Sequence, residues 1–123
     1  MSQYLANELF DAVCNNGSFA VAQVYIKLHL GDPGAAGTSN AAGETDRTAV
    51  SFSAAASGVI TSDAPTQWVS VSNSEDYSHY SAWDHVSAGN FLWSGLLTAA
   101  AVTAGDTFTI AAGDIDLAIT LAA

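Results

Sequence analysis

The sequence predicts a mainly β chain: an antiparallel β-sandwich, or flattened barrel, of about 7–8 short strands with one short N-terminal α-helix. Three observations carry that expectation. Apolar and polar residues alternate in several short runs, most cleanly at Ala22, Val24, Ile26, Leu28 and Leu30 and again at Ile115, Leu117, Ile119 and Leu121. Turn signals such as Gly31-Asp32-Pro33-Gly34, Asp63-Ala64-Pro65 and Gly113-Asp114 separate the runs at roughly ten-residue intervals. Helical spacing is confined to the first segment, MSQYLANELFDAV. No period of the solenoid or propeller kind recurs. The 123 residues therefore form a single domain: helix over 1–17, sandwich over 20–121, and a long exposed loop over 31–46.

Taken in order, Ser2 can cap a helix in which Leu5, Leu9 and Val13 recur every fourth residue, with Phe10 beside them and Glu8 and Asp11 facing water. Asn15-Asn16-Gly17 supplies residues that tolerate the left-handed conformation closing it. So short a helix is marginal alone and must pack on the sheet or on a neighbouring subunit. Ala20 to Leu30 is a strand with Val24, Ile26 and Leu28 inward and Gln23, Tyr25, Lys27 and His29 outward. Gly31 to Asp46 has no apolar period, and a loop of that length in a small domain is functional or held by a partner. Arg47 to Phe52 is a strand with Val50 and Phe52 inward. A bend over Ala54–Gly58, a short strand Val59–Thr61, a turn at Asp63–Pro65 and a strand Trp68–Ser72 follow. Tyr77 to Trp83 is the next strand, placing Tyr77, His79, Ser81 and Trp83 on one parity, and Asp84 to Gly89 is a polar hairpin loop. The last third, with strands around Phe91–Trp93, Thr107–Ile110 and Ile115–Leu121, reads as a β-meander with one apolar face.

Charge and cysteine content narrow the function. Two basic residues, Lys27 and Arg47, stand against twelve acids for a formal net charge of −10, a poor basis for binding nucleic acid or an anionic membrane. With Cys14 alone there is no intrachain disulfide and no Cys-rich zinc site, and Cys14 itself reads as a small apolar filler. The N-terminus lacks a basic n-region and no apolar run approaches a bilayer span, so classical export is not expected.

Sites for chemistry are sparse. His79 and His85 with Asp76 and Asp84 do not have a recognised ligand spacing. Neither Asp114 with Asp116 nor Ser74-Glu75-Asp76 makes a twelve-residue calcium loop, so these read as solvated turn acids. No serine sits in a Gly-x-Ser-x-Gly elbow, His29 lies on the strand face expected to be exposed, and the Gly31–Gly43 segment has no cation for phosphate. No catalytic residue, cofactor or metal is expected. Aromatics weigh more, since they dominate both cores and interfaces. Trp93, beside Phe91 and Leu92, belongs to the core, whereas Trp83, among Tyr77 and Tyr80, suits interface or core equally. The residues expected to meet a partner are Asp32, Pro33, Gly34, Thr38 and Asn40 in the loop and Tyr77, Tyr80 and Trp83 on the strand.

The segments Leu28-His29-Leu30-Gly31-Asp32-Pro33-Gly34, Arg47-Thr48-Ala49-Val50-Ser51-Phe52, Phe91-Leu92-Trp93-Ser94-Gly95-Leu96-Leu97-Thr98 and Val102-Thr103-Ala104-Gly105-Asp106-Thr107 occur in a familiar succession behind an N-terminal helix. In this the chain resembles small virion proteins of tailed bacteriophages, labelled tail-fibre-like or capsid decoration proteins, from about Leu5 to Ile119. It departs from them between Trp68 and Trp83, where SEDYSHYSAWDH replaces a Val/Gly-rich strand. The resemblance implies a structural, non-catalytic role in a particle assembled in the host cytoplasm. Partners would be the major capsid protein or tail proteins of the same virion, and copies of the chain itself as a trimer or dimer. Capsid decoration is the leading expectation and a tail-associated protein the runner-up. From a different class comes a carbohydrate-binding module, with Trp68, Trp83 and the tyrosines as a stacking platform.

Overall fold

A computed structural model describes residues 1–123. One helix, α1 (Gln3–Cys14), precedes eight strands: β1 (Val24–His29), β2 (Thr48–Val50), β3 (Val59–Thr61), β4 (Thr66–Trp68), β5 (Glu75–Trp83), β6 (Phe91–Val102), β7 (Phe108–Ile110) and β8 (Asp116–Ala118). All pairings are antiparallel. A four-stranded sheet runs β2-β1-β5-β6, and two short ladders, β3-β8 and β4-β7, stand beside it with no closure into a barrel. The mainly β, one-helix architecture expected from the sequence is the one observed.

The helix begins where Ser2 Oγ accepts the Leu5 amide at 3.1 Å, and it ends at Asn15 with Asn16 in the left-handed region at φ 56°. Only Leu5 is buried along its length. Phe10 and Val13 project into solvent at 69% and 81% exposure, and Cys14, the last helical residue, is exposed and fills no cavity.

In the main sheet, register places Ile26 beside Ala82 and Leu28 beside Tyr80, with Trp93 and Gly95 of β6 continuing the same two rows. Residues opposite one another across a ladder point to the same side. This face therefore carries the core, and the two ladders cover it. The Trp93 ring meets Phe52 at 6.1 Å, the Tyr80 hydroxyl donates to the Asp116 carbonyl, and Ile110 and Ile115 complete the cluster. A register shift between Tyr77 and His79 breaks the single parity expected for β5 and leaves Tyr77 edge-on to Phe108 at 4.9 Å. Gly95 is required where it stands: a Cβ there would lie 2.6 Å from the Tyr80 ring, which is itself fully enclosed.

Several expectations need correction. The third-from-last strand is longer than expected, running from Phe91 to Val102, and the C-terminal meander does not form. β7 and β8 reach back to β4 and β3 because Ser62, buried between them, captures their connection. Its carbonyl and hydroxyl both accept from Gly113 N, its hydroxyl also accepts from Ile115 N, and its own amide donates to Ile115 O. The β3–β8 ladder ends at Ala118, with one further bond from Ile119 N to Gly58 O, and the Ile119 and Leu121 side chains are exposed despite their alternation. The strand expected at Trp68–Ser72 is shifted to Thr66–Trp68, since Ser70 takes a positive φ of 55° that ends extended structure. Leu30 is likewise outside β1 and exposed.

Candidate functional site

The outer row of the main sheet holds Lys27, His29, His79, Ser81 and Trp83, residues that a one-sided sheet would expose. His29 is instead completely buried, at 0% exposure, and so is Ser81. The cover is the Gly31–Asp46 segment, which folds back over this face. Ala42 N donates to Leu28 O, Leu30 N to Asn40 O, and the segment forms a bridge from Ala41 to His29. Pro33, Gly37, Ala42 and Glu44 are buried within it. Gly37, at φ 74°, lies against the Phe91 ring so closely that a Cβ would approach to 2.5 Å. Its remaining residues are mostly exposed, so the segment is a folded lobe anchored from beneath.

A hydrogen-bonded chain joins lobe and sheet. His29 Nδ1 lies 2.8 Å from Ser39 O and Nε2 2.7 Å from Ser81 Oγ, which also accepts from Trp83 Nε1 at 2.7 Å. A carbonyl can only accept, so Nδ1 carries the proton and the Ser81 hydroxyl donates to Nε2. Burial pushes the His29 imidazole below its usual 6.5; the Ser39 bond opposes this, and the charges of Lys27 and His79 reinforce it. A hydroxyl donating to a histidine oriented by a third group is the arrangement of an activated nucleophile. Here no substrate can reach it, because both side chains lie sealed under the lobe. The chain is a structural latch.

The residues expected to meet a partner fall into two groups. Asp32, Pro33, Gly34, Thr38 and Asn40 come together in the lobe. Asp32 accepts from Gly34 N through Oδ1 and from Asn40 Nδ2 through its carbonyl, and Pro33 O accepts from Ser39 N. Asp32, Gly34, Thr38 and Asn40 are exposed and Pro33 is buried. Tyr77, Tyr80 and Trp83, by contrast, are buried within the chain itself, as is Trp68. Their area is already covered by Phe108, Trp93 and Phe91, so the aromatic platform for stacking on sugars does not exist at this surface. His79 and His85 are also separated in role: His79 bonds Ser78 Oγ, and His85 Nδ1 accepts amides of its own loop.

What sequence reasoning overlooked is the convergence of the only two cations. Lys27 and Arg47 line one open cleft of about 650 Å³, together with Thr48, Gln67, Trp68 and Ser87. The Arg47 guanidinium lies 4.1 Å over the Trp83 ring and its Nη1 donates to His85 O at 2.8 Å and Ala88 O at 2.7 Å, tying down the Asp84–Gly89 loop. The signal was present in the composition, since two cations among twelve acids invite the question of where each one goes.

No helix is long and apolar enough to cross a membrane. No individual curated protein matches the chain. The family model described as "Podophage GP4 fiber I protein gp80" matches residues 1–118, nearly the whole of this sealed, latch-bearing β domain, and the chain accordingly belongs to that family of phage virion fibre proteins.

Proposed function

We propose that the protein is a non-enzymatic structural subunit of a tail fibre, which works by docking to the tail proteins that carry it and to copies of itself. The carrying observation is the outer side of α1. Ala6, Phe10 and Val13 recur there at helical spacing, and Phe10 is the single exposed aromatic in a chain that encloses or half-encloses all its others. Covering Phe10 and Val13 would contribute roughly 1.5–3 kcal/mol each, enough to matter in a small interface. The four exposed lobe residues Asp32, Gly34, Thr38 and Asn40 form a second contact surface, underlain by the buried Pro33 and held rigid by the His29 latch. Membership of a fibre family favours the tail over capsid decoration. The sealing of the Ser81–His29 pair supports a role without catalysis.

The test is incorporation. Phe10→Asp and Val13→Asp should leave the melting temperature of the isolated chain nearly unchanged, because both side chains are exposed, yet the variants should be missing from purified particles. Quantitative mass spectrometry of normal particles should find the copy number of a tail appendage. Variants that incorporate as well as the parent would refute the α1 contact, and shell-wide copy number would restore the decoration reading.

A further inference from the structure

The two cations of this acidic chain line one cleft, and neither is hydrogen-bonded to a carboxylate. In a protein with twelve acids, a lysine and an arginine would ordinarily meet carboxylates. The Lys27 ammonium makes no hydrogen bond; partial burial holds its pKa down, and the like charge of Arg47 adds to this. Arg47 is bonded only to carbonyls, and both bonds leave from Nη1. Of five guanidinium donors, the three on Nε and Nη2 are therefore uncommitted, and that edge is the planar fork that matches a carboxylate or phosphate. Stacking on Trp83 and the two carbonyl bonds hold the group still, so its ordering cost is met before anything binds.

The surroundings suit the same purpose. The cleft is of small-molecule size and its walls are mainly polar, with Thr48, Gln67 and Ser87 offering hydrogen bonds. Two acids also line it. The Glu44 carboxylate is buried and turned to the amides of Asp46 and Ser72, which leaves Asp46 as the one exposed carboxylate at the cleft. Asp84, the acid whose charge acts on Arg47, is itself bonded to Asn90 through both oxygens.

We propose that this cleft binds a small polar ligand through one anionic group, a carboxylate or a phosphate monoester, gripped by the free Nε/Nη2 edge of Arg47 and by the Lys27 ammonium. The site is independent of the docking surfaces above and stands or falls separately from them.

Titration of the intact protein with glucuronate, glycerol phosphate, inorganic phosphate and neutral glucose, followed by amide NMR shifts and Trp fluorescence, tests it. Saturable binding of the anions but not of glucose is expected, with shifts centred on Lys27, Arg47 and Gln67, weakened by added salt and accompanied by a rise in melting temperature. Lys27→Met, which removes a group with no hydrogen bond and so keeps the fold, should weaken binding about tenfold or more. Arg47→Lys should do the same by abolishing the fork while keeping the charge. Tighter binding of glucuronate or glycerol phosphate than of inorganic phosphate assigns the cleft to an anion carried on a larger ligand; equal binding assigns it to the free ion. Absence of saturable binding, binding of neutral glucose as tight as that of the anions, or an affinity unchanged in a folded Lys27→Met protein overturns the proposal. So does a Lys27→Met variant that binds no less anion but changes its sedimentation, since the cations would then serve contact between subunits.

Discussion

Replacing Ser81 by alanine should destabilise the protein far more than the loss of one hydroxyl suggests. The hydroxyl serves two buried groups at once: it accepts from Trp83 Nε1–H and donates to His29 Nε2, each at 2.7 Å. In Ser81→Ala both lose their partner in a place water does not reach, His29 being wholly enclosed and Trp83 nearly so. A buried group deprived of its partner costs about 1–3 kcal/mol, so two with partial relaxation cost about 2–4 kcal/mol. An unfolding entropy of about 2.1 cal/mol/K per residue gives about 0.26 kcal/mol/K for a chain of 123 residues. Each kcal/mol then lowers the melting temperature by about 4 °C, and the expected loss is about 8–16 °C. Differential scanning calorimetry measures it, with Ser53→Ala as the control, since that hydroxyl is exposed and its 3.4 Å contact to Thr61 O should be worth under about 0.5 kcal/mol. Hydrogen exchange should show the Ser39–Asn40 region opening in the Ser81 variant. A Ser81→Ala protein melting within about 2 °C of the parent would refute the latch.

Three further outcomes follow from the same geometry. His29 titrates below 6.5 in the folded chain, so in the interval beneath 6.5 the unfolded chain takes up a proton that the folded one refuses; stability is full above 6.5 and falls as pH drops, and a melting-temperature profile that keeps its slope in His29→Gln would contradict this. The Tyr77 hydroxyl is buried without a hydrogen-bond partner and its ionisation is pushed up to about 12, chiefly by burial, so Tyr77→Phe should be neutral or stabilising by up to about 1 kcal/mol in urea denaturation. Gly95→Ala pushes a methyl against an enclosed Tyr80 ring and should cost about 1–3 kcal/mol, read as a lower urea midpoint with unchanged slope.

The sequence revealed what depends on neighbours along the chain. Ser2 and Asn16 bracket α1 because caps are local chemistry, and the alternation around Ile26 and Leu28 placed β1 because one buried face imposes a period of two. What it concealed depends on contacts across long sequence distances. His29 was expected outside because strand parity says which face a residue shares, and says nothing of whether a distant segment will cover that face. The lobe that does so has no apolar period, being fastened by backbone bonds, Gly37 and Pro33. Ser62 likewise rerouted β7 and β8 through hydrogen bonds no pattern of hydrophobicity encodes. The expected contact residues divided for the same reason: turn chemistry kept Asp32, Gly34, Thr38 and Asn40 at the surface, while long-range stacking drew Tyr77, Tyr80 and Trp83 inward.

The longest strand has one further bearing on how such a protein behaves before assembly. β6 lies at the rim of its sheet and pairs only with β5; on its free side Leu92 O alone finds a backbone partner, and Leu96 stands 75% exposed. Not one of its residues, FLWSGLLTAAAV, is charged, and no proline or lysine interrupts it. Such a rim invites stray strands to add on. Mutual repulsion between bodies each carrying a formal charge of −10 opposes such addition, and salt screens it. The tendency of this rim to take up a further strand should thus rise with ionic strength.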